Sequence, residues 1–207
     1  MRGTDSARQV LQRSLRRPTS LALFVGAVAL ASVPAAGQMA PANAAISTTR
    51  AAQPALDDPT IVAIFDAANT WDIELAGIAL KKSHNKDVRT FARMMAHDHQ
   101  AVRKMGRDLA KKLKVKPTPP GKDFALYQDH VQALKTLRAA KRGPDFDKAY
   151  IDHEVTYHQA VIDAITNTLL PATQNAELKK LETTVAPNFQ AHLLAAQKVQ
   201  GQLSASK

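Results

Sequence analysis

Apolar residues recur at every third or fourth position along most of residues 59–204, which is the spacing of amphipathic α-helices. Five segments show this period, and prolines, glycines or short polar stretches separate them. Long runs rich in Ala, Leu, Lys and Gln also favour helix over strand. The pattern therefore predicts an all-α protein with helices over about residues 59–83, 86–113, 123–140, 145–169 and 175–203.

Individual residues predict where several of these helices begin, end or bend. Asp58 is the expected N-cap of the first helix, and Pro59 occupies its first helical position. Gly143 and Pro144 follow the third helix, as expected of a helix stop. Pro187 falls inside the last helix and predicts a kink there.

The lengths of the connections predict how the helices are arranged. A very short turn at His84-Asn85 joins the first two helices, and another short turn joins the last two, so each pair forms an antiparallel hairpin. A connection of about 30 residues, which includes the short third helix, separates the two hairpins. We therefore predict a ferritin-like four-helix bundle, with two antiparallel helical hairpins and a long crossover that carries an extra short helix.

Residues 1–44 differ from the rest of the chain. Five arginines precede the 13-residue apolar run LALFVGAVALASV, and small residues follow it, which is the order found in secretory signal peptides. The run is shorter than the roughly 20 residues of a membrane span, so membrane association is expected only if the segment stays uncleaved. We predict a signal peptide over 1–44, a flexible leader over 45–58 and a bundle domain over 59–204, in a periplasmic or secreted protein.

Charge and cysteine content exclude several classes of function. The chain has 28 Lys and Arg and 18 Asp and Glu; residues 1–44 hold five of the former and one of the latter, so their removal lowers the net charge from +10 to +6. The remaining basic residues are spread over helix ends, where they complement the helix dipole, so no nucleic-acid partner is expected. The absence of Cys excludes disulfides, a lipid-anchored cysteine and thiolate metal sites. An envelope protein partner and a homo-oligomer are both left open.

The HDH stretch at residues 97–99 contains the first candidate chemistry. With residues placed at 100° intervals around the second helix, Asp98 and His99 fall on the apolar stripe and His97 falls on the opposite side. Burying Asp98 and His99 without partners costs at least a few kcal/mol. We therefore expect these two side chains to meet polar partners inside the bundle.

Each of the other three core helices also brings inward polar groups, namely Glu74, His153, Glu154, His158 and His192. At 1.5 Å of rise per residue, these groups share one slab with Asp98 and His99 that is roughly 10 Å thick. Imidazole and carboxylate ligands suit zinc, copper, iron or manganese. The predicted ligands of such a transition-metal site are Glu74, Asp98, His99, His158 and His192. A metal-free network of buried hydrogen bonds is the main alternative. His84 and His130 are expected to be turn and surface histidines.

Four ordered motifs resemble the bacterial family called domain of unknown function 4142: WDIELAGIALKKS, VRTFARMMAHDHQ, GPDFDKAY with VTYHQAV, and APNFQAHLLAAQ. The resemblance implies an exported ferritin-like bundle of the cell envelope with no established activity. The positions that match are Glu74, Asp98, His99, Phe146, Tyr150, His158, Pro187 and His192. Ferritin-like di-iron sites use Glu-x-x-His pairs. Here Ala96, Val155 and Phe189 stand three residues before the histidines, which disfavours that chemistry.

Together these observations predict an exported helical bundle that binds a transition metal or a small ligand in its core. Two alternatives stay open. One is a mononuclear metalloenzyme, such as an oxidoreductase acting on peroxide or another small oxidant. The other is a metal-free module for envelope stress or protein interaction. The sequence identifies no catalytic residue and no organic cofactor.

Overall fold

A computed structural model describes residues 56–122 and 124–205 of the chain. Their elements are the helices α1 (Asp58–Lys82), α2 (Lys86–Leu113), α3 (Ala125–Ala139), α4 (Pro144–Ala164), α5 (Leu170–Ala172) and α6 (Ala176–Ala205), with a π-helical segment at Ile165–Leu169. The described residues contain no strand, which confirms the all-α prediction. The predicted signal peptide and most of the predicted leader lie outside the described residues.

Two adjacent aspartates fix the start of α1 and connect it to the turn before α6. Asp57, and not Asp58 as predicted, caps α1, because its carboxylate accepts a hydrogen bond from the Thr60 N–H at 2.9 Å. The Asp58 carboxylate instead accepts from the N–H groups of Gln174 and Asn175, both at 2.9 Å. Asp58 therefore ties the start of α1 to the turn that precedes α6.

The end of the fourth helix differs from the prediction. The regular α-helix stops at Ala164, and in the π-helical segment that follows the Leu170 N–H bonds to the Ile165 carbonyl, five residues earlier. Pro171 has no N–H, and in a regular helix its ring would press against the carbonyl four residues before it, so the wider turn accommodates it. Pro187, by contrast, lies inside α6, and the helix continues through it.

The helices form the predicted pair of hairpins. α1 packs along α2, and α4 packs along α6. The hairpins meet through α2 with α6 and through α1 with α4, while α3 in the crossover packs on α1 and α4. The predicted ferritin-like arrangement is thus confirmed, and α3 covers the side where α1 and α4 meet.

Lys82, at the C-terminal end of α1, holds the crossover in place. Its ammonium group donates hydrogen bonds to three carbonyls at the end of α3, those of Leu137 at 2.8 Å, Arg138 at 2.9 Å and Ala140. These carbonyls have no partner further along their own helix. One side chain therefore satisfies the end of α3 and fixes it against the first hairpin.

A polar layer divides the core of the bundle into two apolar halves. One half includes Phe65, Val161 and Phe189, and the other includes Leu75 and Met95. On each of the four long helices, buried polar residues occur between the two halves. These residues, all at most 3% exposed, are Asn69, Asp72, His99, Glu154, His158 and His192.

None of the helices within the described residues is long and apolar enough to cross a membrane.

Candidate metal centre

Three buried histidines from three helices converge at the middle of the polar layer. His99 comes from α2, His158 from α4 and His192 from α6. Their ring centroids are 5.0 to 5.7 Å apart. Each ring offers one nitrogen, and the three nitrogens lie within 4.8 Å of one another. A single ion placed between them could therefore contact all three.

The hydrogen bond of His99 determines which of its nitrogens is free. Asn69 donates its amide N–H to the Phe65 carbonyl at 2.7 Å, which turns the amide oxygen toward His99. That oxygen lies 2.9 Å from Nδ1 of His99 and can only accept, so Nδ1 carries the proton. The buried Nε2 of His99 has no hydrogen-bond partner among the described residues. It therefore presents an unshared lone pair.

His158 and His192 are held in the same way by other acceptors. Nδ1 of His158 donates to the backbone carbonyl of Glu154 at 2.9 Å, and Nε2 of His192 donates to the Asp98 carboxylate at 3.0 Å. Their other ring nitrogens, Nε2 of His158 and Nδ1 of His192, are buried without a partner in the described part of the chain. All three rings thus have one anchored N–H and one bare nitrogen, as metal-ligating histidines do.

Electrostatics keep these rings neutral. Burial lowers the pKa of His158 to about 3, helped by the nearby His192. Burial also lowers the pKa of His99 well below its usual value, with smaller contributions from His158 and His192. The pKa of His192 is lowered by burial as well, although the Asp98 carboxylate opposes the shift. Neutral imidazole is the form that binds metal ions.

Two buried carboxylates complete the polar layer. Asp72 and Glu154 form a second group with His158, whose ligand atoms also lie within 4.8 Å of one another. Burial raises the pKa of Glu154 to about 8, and an interaction with the Tyr150 side chain opposes the shift. The pKa of Asp72 is raised well above its usual value, first by burial and then by the Glu154 charge.

Glu74, a predicted ligand, does not join either group. Its carboxylate accepts a hydrogen bond from Arg138 at 2.7 Å and lies 3.3 Å from Nε2 of His130. Two residues correspond to 200° around a helix, so Glu74 points away from Asp72, which faces the bundle. Glu74 therefore belongs to the contact between α1 and α3.

The neighbouring His130 is buried, and the prediction of a surface histidine was wrong. It is 5% exposed, and its ring stacks on Trp71 with the centroids 4.9 Å apart. His130 belongs to the crossover helix α3, which packs its ring against α1. Burial lowers the pKa of His130, while Glu74 opposes the shift.

Asp98 and His97 lie at the edge of the centre. The Asp98 side chain is 36% exposed and accepts hydrogen bonds from His192 at 3.0 Å and His97 at 2.9 Å. Burial alone would raise the pKa of Asp98, but these two histidines outweigh it and the pKa is lowered. His97 is on the surface, with 85% of its side chain exposed, as predicted. Asp98 thus orients His192 and is not a member of the convergent groups.

A cavity of about 290 Å³ opens beside the centre, between α3 and α4. Tyr157 lines this cavity and is itself buried. Its ring stands perpendicular to that of His158, with centroids 6.0 Å apart. His153, which the sequence analysis placed in the same slab, also lines the cavity and stacks on Tyr157 at 5.5 Å. One aromatic side chain therefore lies between the cavity and the histidine group.

Sequence reasoning found the three histidines and missed two of the residues around them. Neither Asn69 nor Asp72 is among the predicted site residues, because the apolar spacing of Phe65, Trp71 and Ile78 indicates a different buried face of α1. Trp71 and Ile78 are only partly buried. The face that meets the other bundle helices follows the smaller Ala68 and Ala76 and carries Asn69 and Asp72 with it.

Comparisons with known proteins agree with this architecture. The family described as Domain of unknown function (DUF4142) matches residues 43–199. Among solved structures, the chain is similar to "CopM in the Cu(II)-bound form", with a TM-score of 0.53 and 18% sequence identity. The similarity covers 71% of this chain and 98% of that one. At this identity the likeness concerns the fold alone. No curated protein matches the sequence.

Proposed function

This chain belongs to the DUF4142 family, and from that premise we propose that it is an exported protein that binds a divalent transition-metal ion inside its bundle. His99, His158 and His192 are the proposed ligands. The observation that carries the proposal is the set of three neutral, buried rings that each offer one nitrogen within 4.8 Å of the others and each have one nitrogen without a hydrogen-bond partner in the described residues. Asp98 and Asn69 would hold two of these rings in the orientation that binding requires.

The pattern of hydrogen bonds favours a metal site over a metal-free network. In a structural network, buried polar groups satisfy one another. Here each histidine donates to an acceptor outside the group, and no donor in the described residues reaches its second ring nitrogen. An ion that accepts three lone pairs fits these nitrogens, since each of them is an acceptor without a donor.

The donor set indicates which ions to test. Three imidazole nitrogens without sulfur suit Cu²⁺ and Zn²⁺ better than Cu⁺, which prefers thiolate and thioether ligands. A solved structure of the same fold is a Cu(II)-bound form, that of CopM. Cu²⁺ is therefore the first ion to test, and Zn²⁺ is the second.

Export is proposed from residues 1–44, whose basic, apolar and small-residue segments are typical of a signal peptide. Cell fractionation followed by N-terminal sequencing of the native protein tests this part of the proposal. We expect an exported chain that begins after Ala36 or after Ala44. A cytoplasmic chain that still begins near Met1 would contradict export without affecting the metal proposal.

Metal binding is tested with untagged protein from which metal has been removed, exposed to Cu²⁺ and then freed of loose ions by gel filtration. We expect copper to be retained, and we expect His158→Ala and His192→Ala each to weaken binding by at least about 100-fold, because each removes one direct ligand. His84→Ala is the matched control, since His84 is exposed in the turn between α1 and α2. Equal losses in all three variants, or no retained copper in the wild-type protein, would contradict the proposal.

A metalloenzyme is the second candidate, favoured by the cavity beside Tyr157. Three protein ligands leave a coordination position for a substrate, and Tyr157 both lines the cavity and contacts the His158 ring. Consumption of peroxide by the copper-loaded protein, lost in His158→Ala and retained in His84→Ala, would support this function. Turnover that does not depend on His158 would exclude it.

A further inference from the structure

Asp72 and Glu154 form a second group of metal-ligating atoms beside the three histidines. Asp72 comes from α1 and Glu154 from α4, and the group shares only His158 with the first one. The binding site proposed above does not use either carboxylate. Their position in the core therefore needs its own explanation.

Both carboxyl groups are buried without a buried Lys or Arg beside them in the described residues. Asp72 is 1% exposed and Glu154 is fully buried. None of their four oxygens has a hydrogen-bond partner among the described residues, and neither has the nearby Tyr150 hydroxyl. The buried residues within the described ranges include no Lys or Arg. Carboxylates in such surroundings are stabilised by a bound cation or are protonated.

The two carboxylates lie on the far side of the imidazole rings from the bare Nε2 atoms. An Asp72 oxygen is 3.5 Å from Nδ1 of His99, and a Glu154 oxygen is 3.4 Å from Nδ1 of His158. The two nitrogens of an imidazole ring point in different directions. The carboxylates therefore define a second position and do not add ligands to the first.

We propose that Asp72 and Glu154 hold a second divalent cation, with His158 between the two ions. This inference rests on the proposed function, because His158 is a ligand of the first ion. Coordination of the second ion through Nδ1 of His158 would break its hydrogen bond to the Glu154 carbonyl, and the Nδ1 proton and the protons held by the two buried carboxyl groups would be released to solvent. The ring then bridges the two ions as an imidazolate, and no oxidation or reduction takes place.

Charge and donor chemistry support this arrangement. The first position is made of neutral nitrogens, whereas the second has two anionic oxygen ligands and therefore also accepts harder cations such as Mn²⁺. Two divalent ions bring four positive charges, against three negative charges from two carboxylates and an imidazolate. A single ion at the histidine position would leave both carboxylates without a direct partner.

The test counts copper ions in metal-loaded, untagged protein after gel filtration, with spin quantitation by electron paramagnetic resonance. Wild-type protein is expected to retain two Cu²⁺ per chain with fewer detectable spins than ions, because an imidazolate bridge couples the two spins antiferromagnetically. Asp72→Asn and Glu154→Gln are expected to retain one ion with its full spin. Glu182→Gln is the matched control. Glu182 is a buried carboxylate near the start of α6, away from the polar layer, and it accepts a hydrogen bond from the Thr173 hydroxyl.

The possible outcomes separate this inference from the proposed function. One ion in the wild-type protein, or two uncoupled ions in all variants, overturns the second position and leaves the histidine site intact. No ion in the wild-type protein overturns both. Two coupled ions in the wild-type and Glu182→Gln proteins, and one ion in the other two variants, support both.

Discussion

At the scale of single residues, acceptors of different kinds orient the three histidines. His99 uses a side-chain amide, His158 uses the carbonyl of its own helix, and His192 uses a carboxylate. Each acceptor fixes a tautomer and leaves the other ring nitrogen of that histidine with a free lone pair. These acceptors should therefore affect metal affinity although they do not touch the ion.

Asn69 is the clearest test of such positioning. Asn69→Leu keeps a side chain of similar size but removes the acceptor for Nδ1 of His99, so we expect copper affinity to fall by about 10- to 100-fold. Asn69→Asp keeps an acceptor at the same place and is expected to retain most of the affinity. Competition titration against a chelator of known affinity measures both. Equal affinity in Asn69→Leu and the wild-type protein would show that the hydrogen bond does not position the ring.

Single residues also show which parts of the candidate site the sequence could predict. His99, His158 and His192 were found because each lies at helical spacing among apolar residues. Asp72 is not predicted because the large apolar side chains of Trp71 and Ile78 indicate another buried face, although both are only partly buried and Trp71 packs on His130 of α3. A polar residue whose neighbours on the helix face include Ala68 and Ala76 gives a weak signal, since alanine is common on both buried and exposed helix faces.

At the scale of elements, the close approach of α1 and α2 depends on a single glycine. A Cβ atom added to Gly106 would lie 2.6 Å from Cε1 and 2.7 Å from Cδ1 of the Phe65 ring. Phe65 is 8% exposed and belongs to an apolar half of the core, so its ring has little room to move. This contact sets the spacing of the first hairpin.

We expect Gly106→Ala to lower the free energy of unfolding by about 1 to 2 kcal/mol, because overpacking outweighs the gain in helix propensity. Gly77→Ala, in α1, is the matched control. A Cβ there meets nothing within 4 Å, so this change should raise stability by up to about 1 kcal/mol. Urea unfolding of both variants measures the difference. A Gly106→Ala protein at least as stable as Gly77→Ala would contradict the close packing.

Element boundaries could be predicted where local chemistry decides them. The limits of α2 follow from a short turn and a run of good helix formers, and the predicted range agrees with the observed Lys86–Leu113. The π-helical segment before Pro171 and the burial of His130 were not predicted. The burial of His130 depends on how α3 packs against α1, where the His130 ring stacks on Trp71. The π-helical segment accommodates Pro171 by a wider turn, which the spacing of apolar residues does not indicate.

At the scale of the whole molecule, the polar layer is expected to lower the stability of the metal-free protein at both acidic and alkaline pH. The histidines of the centre have lowered pKa values in the folded protein; that of His158 falls from 6.5 to about 3. Between these two pH values the unfolded chain therefore binds more protons than the folded one. Glu154 has the opposite shift, from its usual 4.5 to about 8 in the folded protein. Between pH 4.5 and about 8 the folded protein therefore binds more protons than the unfolded chain.

These opposite pKa shifts predict that the free energy of unfolding passes through a maximum as the pH is varied. As the pH is lowered below 6.5, the histidines reduce the free energy of unfolding. As the pH is raised from 4.5 to about 8, Glu154 reduces it. The two effects oppose each other between 4.5 and 6.5, so the metal-free protein should be most stable in that window. Urea unfolding across pH measures the curve, and Glu154→Gln should remove part of the decline on the alkaline side. A maximum above pH 8 would contradict the burial of these groups.

The central claim concerns where an ion binds, and the most direct measurement is an anomalous-difference map from crystals of the copper-loaded protein. We predict a peak between His99, His158 and His192, at roughly 2.0 Å from their nitrogens, close to the 2.0–2.1 Å of Zn–N bonds. The bonded atoms should be Nε2 of His99, Nε2 of His158 and Nδ1 of His192, the three that lack partners in the described structure. Copper bound only at surface histidines such as His84 or His97, with no peak between these three rings, would contradict the claim.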